Sequence, residues 1–218
     1  CLFAVDGTGS ADLEQDARKA EASGADVLFL PSRHDLWPDH LLARAAFGEL
    51  SGRLFGSGRP DLYPDLCTLA LKLFHITQAQ RTYYGQKDIQ RFLLVQRMAA
   101  DLNIPVKVKC LPIARDQDNL ALSAVNALLD DNQRRQAALI YTALQLAQGL
   151  YAEGQRETAV VLEAMAQELR KALLGDIKCL QAVDTGNLLP QQRLKSGSLI
   201  ALEMDFNGIP LSDNILLD

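Results

Sequence analysis

The chain has 218 residues, 48% hydrophobic and 22% charged, which suits one large or two small globular domains and argues against a disordered or fibrous chain. Lys and Arg number 22 against 27 Asp and Glu, and the formal charge of -5 speaks against nucleic acid or an anionic membrane as a partner. Apolar runs such as Leu66 to Leu71 are far too short to span a bilayer, and no basic-then-apolar leader opens the chain.

The four cysteines (Cys1, Cys67, Cys110, Cys179) are widely separated and form no CxxC pair. Reduced thiols in a cytoplasmic protein, with no zinc or disulfide framework, are therefore expected. The chain opens at Cys1, inside what reads as a buried strand through Val5. A helix over Asp12 to Ser23, ended by Gly24, precedes a continuous apolar run, Val27 to Leu30, that Pro31 stops. Such a run suits a strand buried on both faces. An irregular stretch from Trp37 to Pro64 has turn points at Gly52, Gly56 and Gly58, and an apolar helix covers Leu66 to Ile76. A strand at Thr82 to Tyr84, a helix from Asp88 to Leu102 and an alternating strand at Val106 to Cys110 follow. Strands separated by helices imply βαβ units and a doubly wound parallel sheet.

The second half changes character. One long helix is expected over Asn132 to Tyr151 and another over Glu157 to Leu174, then strands at Ile177 to Val183 and Leu199 to Phe206. Asn207–Gly208 signals a hairpin, because a type I′ turn needs positive φ at both central residues. These patterns divide the chain into an α/β domain, residues 1–129, and a smaller α+β domain, residues 130–218.

Three segments suggest chemistry. At Tyr84 to Gln90 a strand ends, Gly85 permits a turn, and Asp88 is placed to cap the next helix. Backbone N–H groups there, with Lys87 beside them, suit an anion; a capped helix with a solvated lysine explains the same residues. After the strand ending at Cys110, Ser123 could donate to a phosphate or cap the helix that follows. Arg59, on the glycine-rich turn Gly56 to Pro60, could hold a carboxylate or lie on a flexible surface. His34, His40 and His75 lack metal-ligand spacing, so no metal site is expected from protein side chains.

In their order these segments resemble the pantothenate synthetase (pantoate–β-alanine ligase) family. Gly58–Arg59–Pro60 and Lys72–Leu73–Phe74 are similar to its RPGHF and KLFN segments, Tyr84 to Gln90 to FGEKDxQQ, Leu94 to Leu102 to LIRxMVADL, Leu120 to Asn126 to LALSSRN, and Ser212 to Leu216 to the terminal IDNxxL run. The resemblance implies a Rossmann-like nucleotidyl-transferase domain with a smaller C-terminal α+β domain, usually as a homodimer. It also implies ATP with Mg²⁺, and an acid and an amine joined through an acyl adenylate. Carried over residue by residue, it makes Lys87 and Ser123 catalytic. Gly85, Lys87, Asp88 and Ser123 would contact nucleotide, and Gln90, Arg91, Arg59 and Thr8 substrate.

Several family positions are changed. The chain opens after the family's PTMGxLHxGH strand–helix unit, so a second chain completing the sheet is one expectation. Thr8 stands where FVNPxQF has its pantoate-orienting glutamine, Gln86 replaces a glutamate, and Arg91 replaces the second glutamine. Leu62 occupies the histidine position of RPGHF, and Val125 the arginine position of LSSRN. The last change alone removes a permanent charge and up to about five donors. The expected function is thus the family reaction in impaired form, with a divergent ligase for another acid and amine, or a non-catalytic binding or assembly subunit, as alternatives.

Overall fold

The computed structural model describes residues 2–3, 13–39, 41–57, 59 and 61–218. The expectations for Cys1, Thr8, Gly58 and Pro60 lie outside them. Strand β1 (Leu2–Phe3) runs parallel to β2 (Leu28–Phe29), Leu2 opposite Leu28, with helix α1 (Leu13–Ala22) between them. The run expected to be buried is not: Val27 is 54% and Leu30 42% exposed. Two residues of ladder offer too little sheet to cover both ends of the run.

A short helix, α2 (Arg33–Leu36), and two 3₁₀ turns (Gly48–Gly52 and Leu54–Gly56) lead to α3 (Leu62–Thr77). Helix α3 starts ahead of the expected Leu66, because Pro64 sits in its first turn, where no intrahelical N–H is needed. Tyr63, Cys67, Ala70 and Phe74 form one buried stripe on α3, against Leu94, Val95 and Met98 of α4 (Ile89–Asp101). Strand β3 (Arg81–Gly85) pairs in parallel with β4 (Lys107–Leu111), Arg81 opposite Lys107 and Gly85 opposite Leu111. Tyr84, Val108 and Cys110 turn toward the core, while Tyr83, Lys107 and Lys109 stay exposed. Among the described residues the parallel strands form two separate pairs rather than one doubly wound sheet. Alternating strands and helices dictate parallel pairing within a unit, not the joining of one unit to the next.

The C-terminal half is built on an antiparallel sheet of β5 (Asp176–Asp184), β6 (Ser198–Phe206) and β7 (Ile209–Leu216), in that order. Asn207 and Gly208 have φ of 55° and 90°, the positive pair that a type I′ hairpin requires. The expected long helix is divided into α5 (Asp131–Ala137) and α6 (Leu139–Ala152). Ala138 stays in the helical region, and the Thr142 hydroxyl donates to its carbonyl, a back-bond that bends helices. Helix α7 (Thr158–Leu169) ends before the expected Leu174.

Strand β6 sets the layering. Ile200, Leu202, Met204 and Phe206 face α6 and α7, with Ile140, Leu144, Val161 and Met165 in one buried core. Leu199 and Ala201 face the other way and join Val183 to Leu54, Ile89 and Phe92, so the sheet docks on the start of α4. That docking brings the polar end of the same sheet face over the turn between β3 and α4.

Candidate functional site

The turn Gln86–Asp88 is fastened to β7 by Asn214, which is 2% exposed. Its amide donates to the carbonyls of Gln86 (2.9 Å) and Lys87 (3.3 Å), and the Gln86 amide returns a bond to its oxygen at 3.3 Å. Lys87 Nζ thereby reaches Ser212 Oγ at 3.5 Å. Ser212 lies directly opposite Glu203 on β6, whose carboxylate pairs with Arg59 at 3.4 Å. Between these groups lies a cavity of about 200 Å³, lined also by Phe55, Tyr63 and Arg91.

Each wall has a local cause. Gly56 packs so closely that a Cβ there would lie 1.8 Å from the Ser51 carbonyl oxygen, so only glycine closes the turn presenting Phe55. Arg91 Nε is buried without a hydrogen-bond partner, and the guanidinium lies 5.4 Å from the centre of the Tyr84 ring, within cation–π range. Burial pushes the Tyr63 and Tyr84 hydroxyls up; Asp88 adds to the effect at Tyr63, and Arg91 opposes it at Tyr84. Both phenols remain neutral donors at physiological pH. Burial also raises the Cys67 thiol to about 12, with Arg91 opposing.

The structure brings Arg59, Lys87, Asp88, Gln90 and Arg91 to this one cavity. Gln90 is already engaged: it is 1% exposed, donates to the Arg53 carbonyl at 2.8 Å and accepts from the Phe55 N–H at 2.9 Å. Asp88 makes no side-chain cap to α4, contrary to expectation, because the 3₁₀ turn before the helix carries its backbone away from cap geometry (φ −92°, ψ 47°). Gly85 is extended (φ −72°, ψ 137°), a conformation open to any residue, so its glycine is not required by a turn. Ser123 opens the 3₁₀ segment Ala124–Leu128 without a side-chain cap, and it does not line the cavity. Val125 packs against the core beneath α6 and α7. Thr8 lies outside the described residues.

Sequence reasoning missed Glu203, Tyr63 and Phe55. Glu203 had a signal: with Asp205 it is one of two acids at alternate positions at the end of an apolar strand. The two aromatic residues had none, since both fall in the stretch from Trp37 to Pro64 that reads as irregular. Among the described residues no three His, Cys, Asp or Glu side chains gather as a metal site, and no helix is long and apolar enough to cross a membrane.

Residues 10–216 match the family model described as pantoate-beta-alanine ligase. The chain is 35% identical over 207 residues to the pantothenate synthetase of Desulfitobacterium hafniense, covering 95% of this chain and 73% of that relative. The crystal structure of pantothenate synthetase from Thermus thermophilus superposes with a TM-score of 0.89 at 32% identity, over 94% of this chain and 74% of that one. The pantoate-beta-alanine ligase of Francisella tularensis, described as complexed with beta-gamma ATP and beta-alanine, gives a TM-score of 0.73 at 27% identity, over 94% and 69%. The mixed α/β, nucleotidyltransferase-like fold, with its C-terminal sheet domain, is common to these proteins.

Proposed function

The chain belongs to the pantoate-beta-alanine ligase family, and we propose that it retains an acid-binding pocket of that family while its adenylation machinery is impaired. In the family reaction a carboxylate attacks the α-phosphorus of ATP and pyrophosphate leaves; an amine then attacks the acyl carbon and AMP leaves. The observation that carries the reading is the convergence of Lys87, Arg91 and Arg59 on one small cavity. At about 200 Å³ it suits an organic acid and is smaller than usual ligand pockets, so a nucleotide would extend beyond it. The free Nε of Arg91 suits a carboxylate oxygen.

In this reading Lys87 and Ser123 meet the ATP phosphates, with the backbone at Gly85, and Arg59, Arg91 and Thr8 meet substrate. Gln90 acts by holding the turn that carries Phe55. Mg²⁺ would arrive with the triphosphate, Asp88 being the carboxylate in the turn that could meet it. Impairment is supported by Val125, a partly buried apolar side chain that packs against the core and has no donor to offer a triphosphate. A boundary between residues 129 and 130 belongs to the same reading, supported by the capping box in which Asp130 accepts from Gln133 N and Gln133 accepts from Asp130 N. So does a homodimer, which light scattering would test.

With ATP, Mg²⁺ and pantoate, the 218-residue chain is expected to release no pyrophosphate above background. Calorimetric titration should show weak Mg·ATP binding that Lys87→Ala weakens further. Robust pantothenate formation would overturn the impairment. Pyrophosphate release with a more acidic substrate would select the divergent ligase, Arg91 meeting the second acid group. The exposed face of β3 and β4, with Tyr83, Lys107, Lys109 and Leu111, favours a second reading, that of an assembly subunit completed by another chain. Parallel sheets are ordinarily covered on both faces.

A further inference from the structure

Three positions that differ from the family motifs, far apart in the chain, line the acid cavity together. Arg91 stands where FGEKDxQQ ends in glutamine, Tyr63 where RPGHF ends in phenylalanine, and Ser212 where IDNxxL begins with isoleucine. Each change adds a donor: a guanidinium in place of an amide, and a hydroxyl in place of hydrocarbon at the other two. Leu62, in the histidine position of RPGHF, works the other way. The cavity as a whole gains positive charge and hydroxyl donors that the motifs do not prescribe.

Those donors have little to bind among the described residues. Arg91 makes no ion pair or hydrogen bond with them, and its Nε is buried. Lys87 has no ion pair among them either, and its side chain makes one long hydrogen bond, to Ser212 at 3.5 Å. The Tyr63 hydroxyl has no hydrogen-bond partner among them, although the residue is 7% exposed. Lys87 immediately precedes α4 and Arg91 is its third residue, so both cations crowd the end of the helix whose dipole repels them. Their own charges repel as well. A half-buried guanidinium without a counter-ion is costly, and a bound anion removes that cost. The two acids of the cavity do not supply it: Glu203 is taken by Arg59, and Asp88 is exposed, where its charge is screened. One carboxylate brings one charge to two cations; two carboxylates balance both. About 200 Å³ leaves room for a short carbon chain between them.

We infer that this cavity takes a small dicarboxylic acid, one carboxylate held by Lys87 and Ser212, the other by Arg91, with the Tyr63 hydroxyl donating to the ligand. The inference rests on the acid-pocket reading given above and names the class of acid. It requires neither ATP nor a chemical step, so it can be tested by binding alone.

The test is calorimetric titration of the whole chain near neutral pH with three probes: succinate, butyrate as a monocarboxylate of the same chain length, and inorganic phosphate as a compact anion. Succinate should bind about tenfold more tightly than butyrate, the effect of one charged hydrogen bond, and phosphate no better than butyrate. Arg91→Gln, which restores the residue of the motif, should abolish the preference for succinate while butyrate still binds. Tyr63→Phe should weaken succinate about fivefold, the effect of one neutral hydrogen bond. Lys109→Met, on the exposed face of β4, should change neither affinity. If Arg91→Gln does not fold, the succinate-to-butyrate ratio of the unaltered chain and the Tyr63→Phe variant still decide. Equal affinity for succinate and butyrate, a preference that survives Arg91→Gln, or phosphate binding as tightly as succinate would overturn the inference and leave the acid pocket standing. Binding of no acid at all would remove both.

Discussion

The two faces of β6 began from the same strand and met different fates. On one, Ile200, Leu202, Met204 and Phe206 are sealed beneath α6 and α7 with no exposure at all. On the other, Leu199 and Ala201 are sealed by Leu54, Ile89 and Phe92, but Glu203 and Asp205 continue the row into open cavities. The closed face holds the fold together. The half-closed face stops burying apolar surface where Arg59, Lys87 and Arg91 gather, so stability and the candidate site divide along one strand.

Truncating the closed face should have the largest effect. Phe206→Ala is expected to cost about 3–5 kcal/mol in chemical denaturation, whereas Asp205→Asn on the open face should stay within about 0.5 kcal/mol. Similar losses at both sites would erase the distinction. An intermediate effect is expected at Gln90, which joins the α4 start to the turn at Phe55. Gln90→Ala leaves the Arg53 carbonyl and the Phe55 N–H without their partner and should cost about 2 kcal/mol. A stable Gln90→Ala protein that loses only ligand affinity would return Gln90 to a direct substrate role.

A pH-dependent effect comes from the thiols. Burial raises Cys67 from 9.0 to about 12, and Cys179, with Glu203 adding to the effect, to about 11. A raised thiol keeps its proton in the folded chain after the unfolded chain has lost it. The stability is therefore complete below pH 9.0 and falls as pH rises through the folded values. Each thiol can remove about 1.4 kcal/mol per pH unit at most. Cys67→Ala should flatten the alkaline limb of a denaturation profile. An unchanged slope would show that Cys67 does not feel its buried position.

Much of the fold was legible because its patterns are local. The Asn207–Gly208 turn, the apolar helix over Leu66 to Ile76 and the alternation along β4 each follow from a period or a φ requirement within a few residues. The errors were of two kinds. Val27 to Leu30 read as buried because apolar runs usually are, yet Val27 and Leu30 are only partly covered by the described residues. Asp88 read as a cap because its type and place fitted, yet the 3₁₀ turn before α4 denies it the geometry. At the site, Arg59, Lys87 and Arg91 were singled out in separate segments, and the fold brings them to one cavity. Ser123 was selected with them and does not line that cavity, since the order of two segments along the chain carries no distance between them.

The sequence alone determined the residue types available for chemistry, the βα alternation, the hairpin and the family pattern running through Tyr84–Gln90 and Ser212–Leu216. Those depend on chain neighbours and on side-chain chemistry that folding does not change. Only the tertiary structure decided that Glu203 faces Arg59, that Asn214 holds the turn bearing Lys87, and that Tyr63, Arg91 and Ser212 share one cavity. Each of those pairs residues far apart in the chain or depends on strand register, and a one-residue slip in register would send every such side chain to the opposite face.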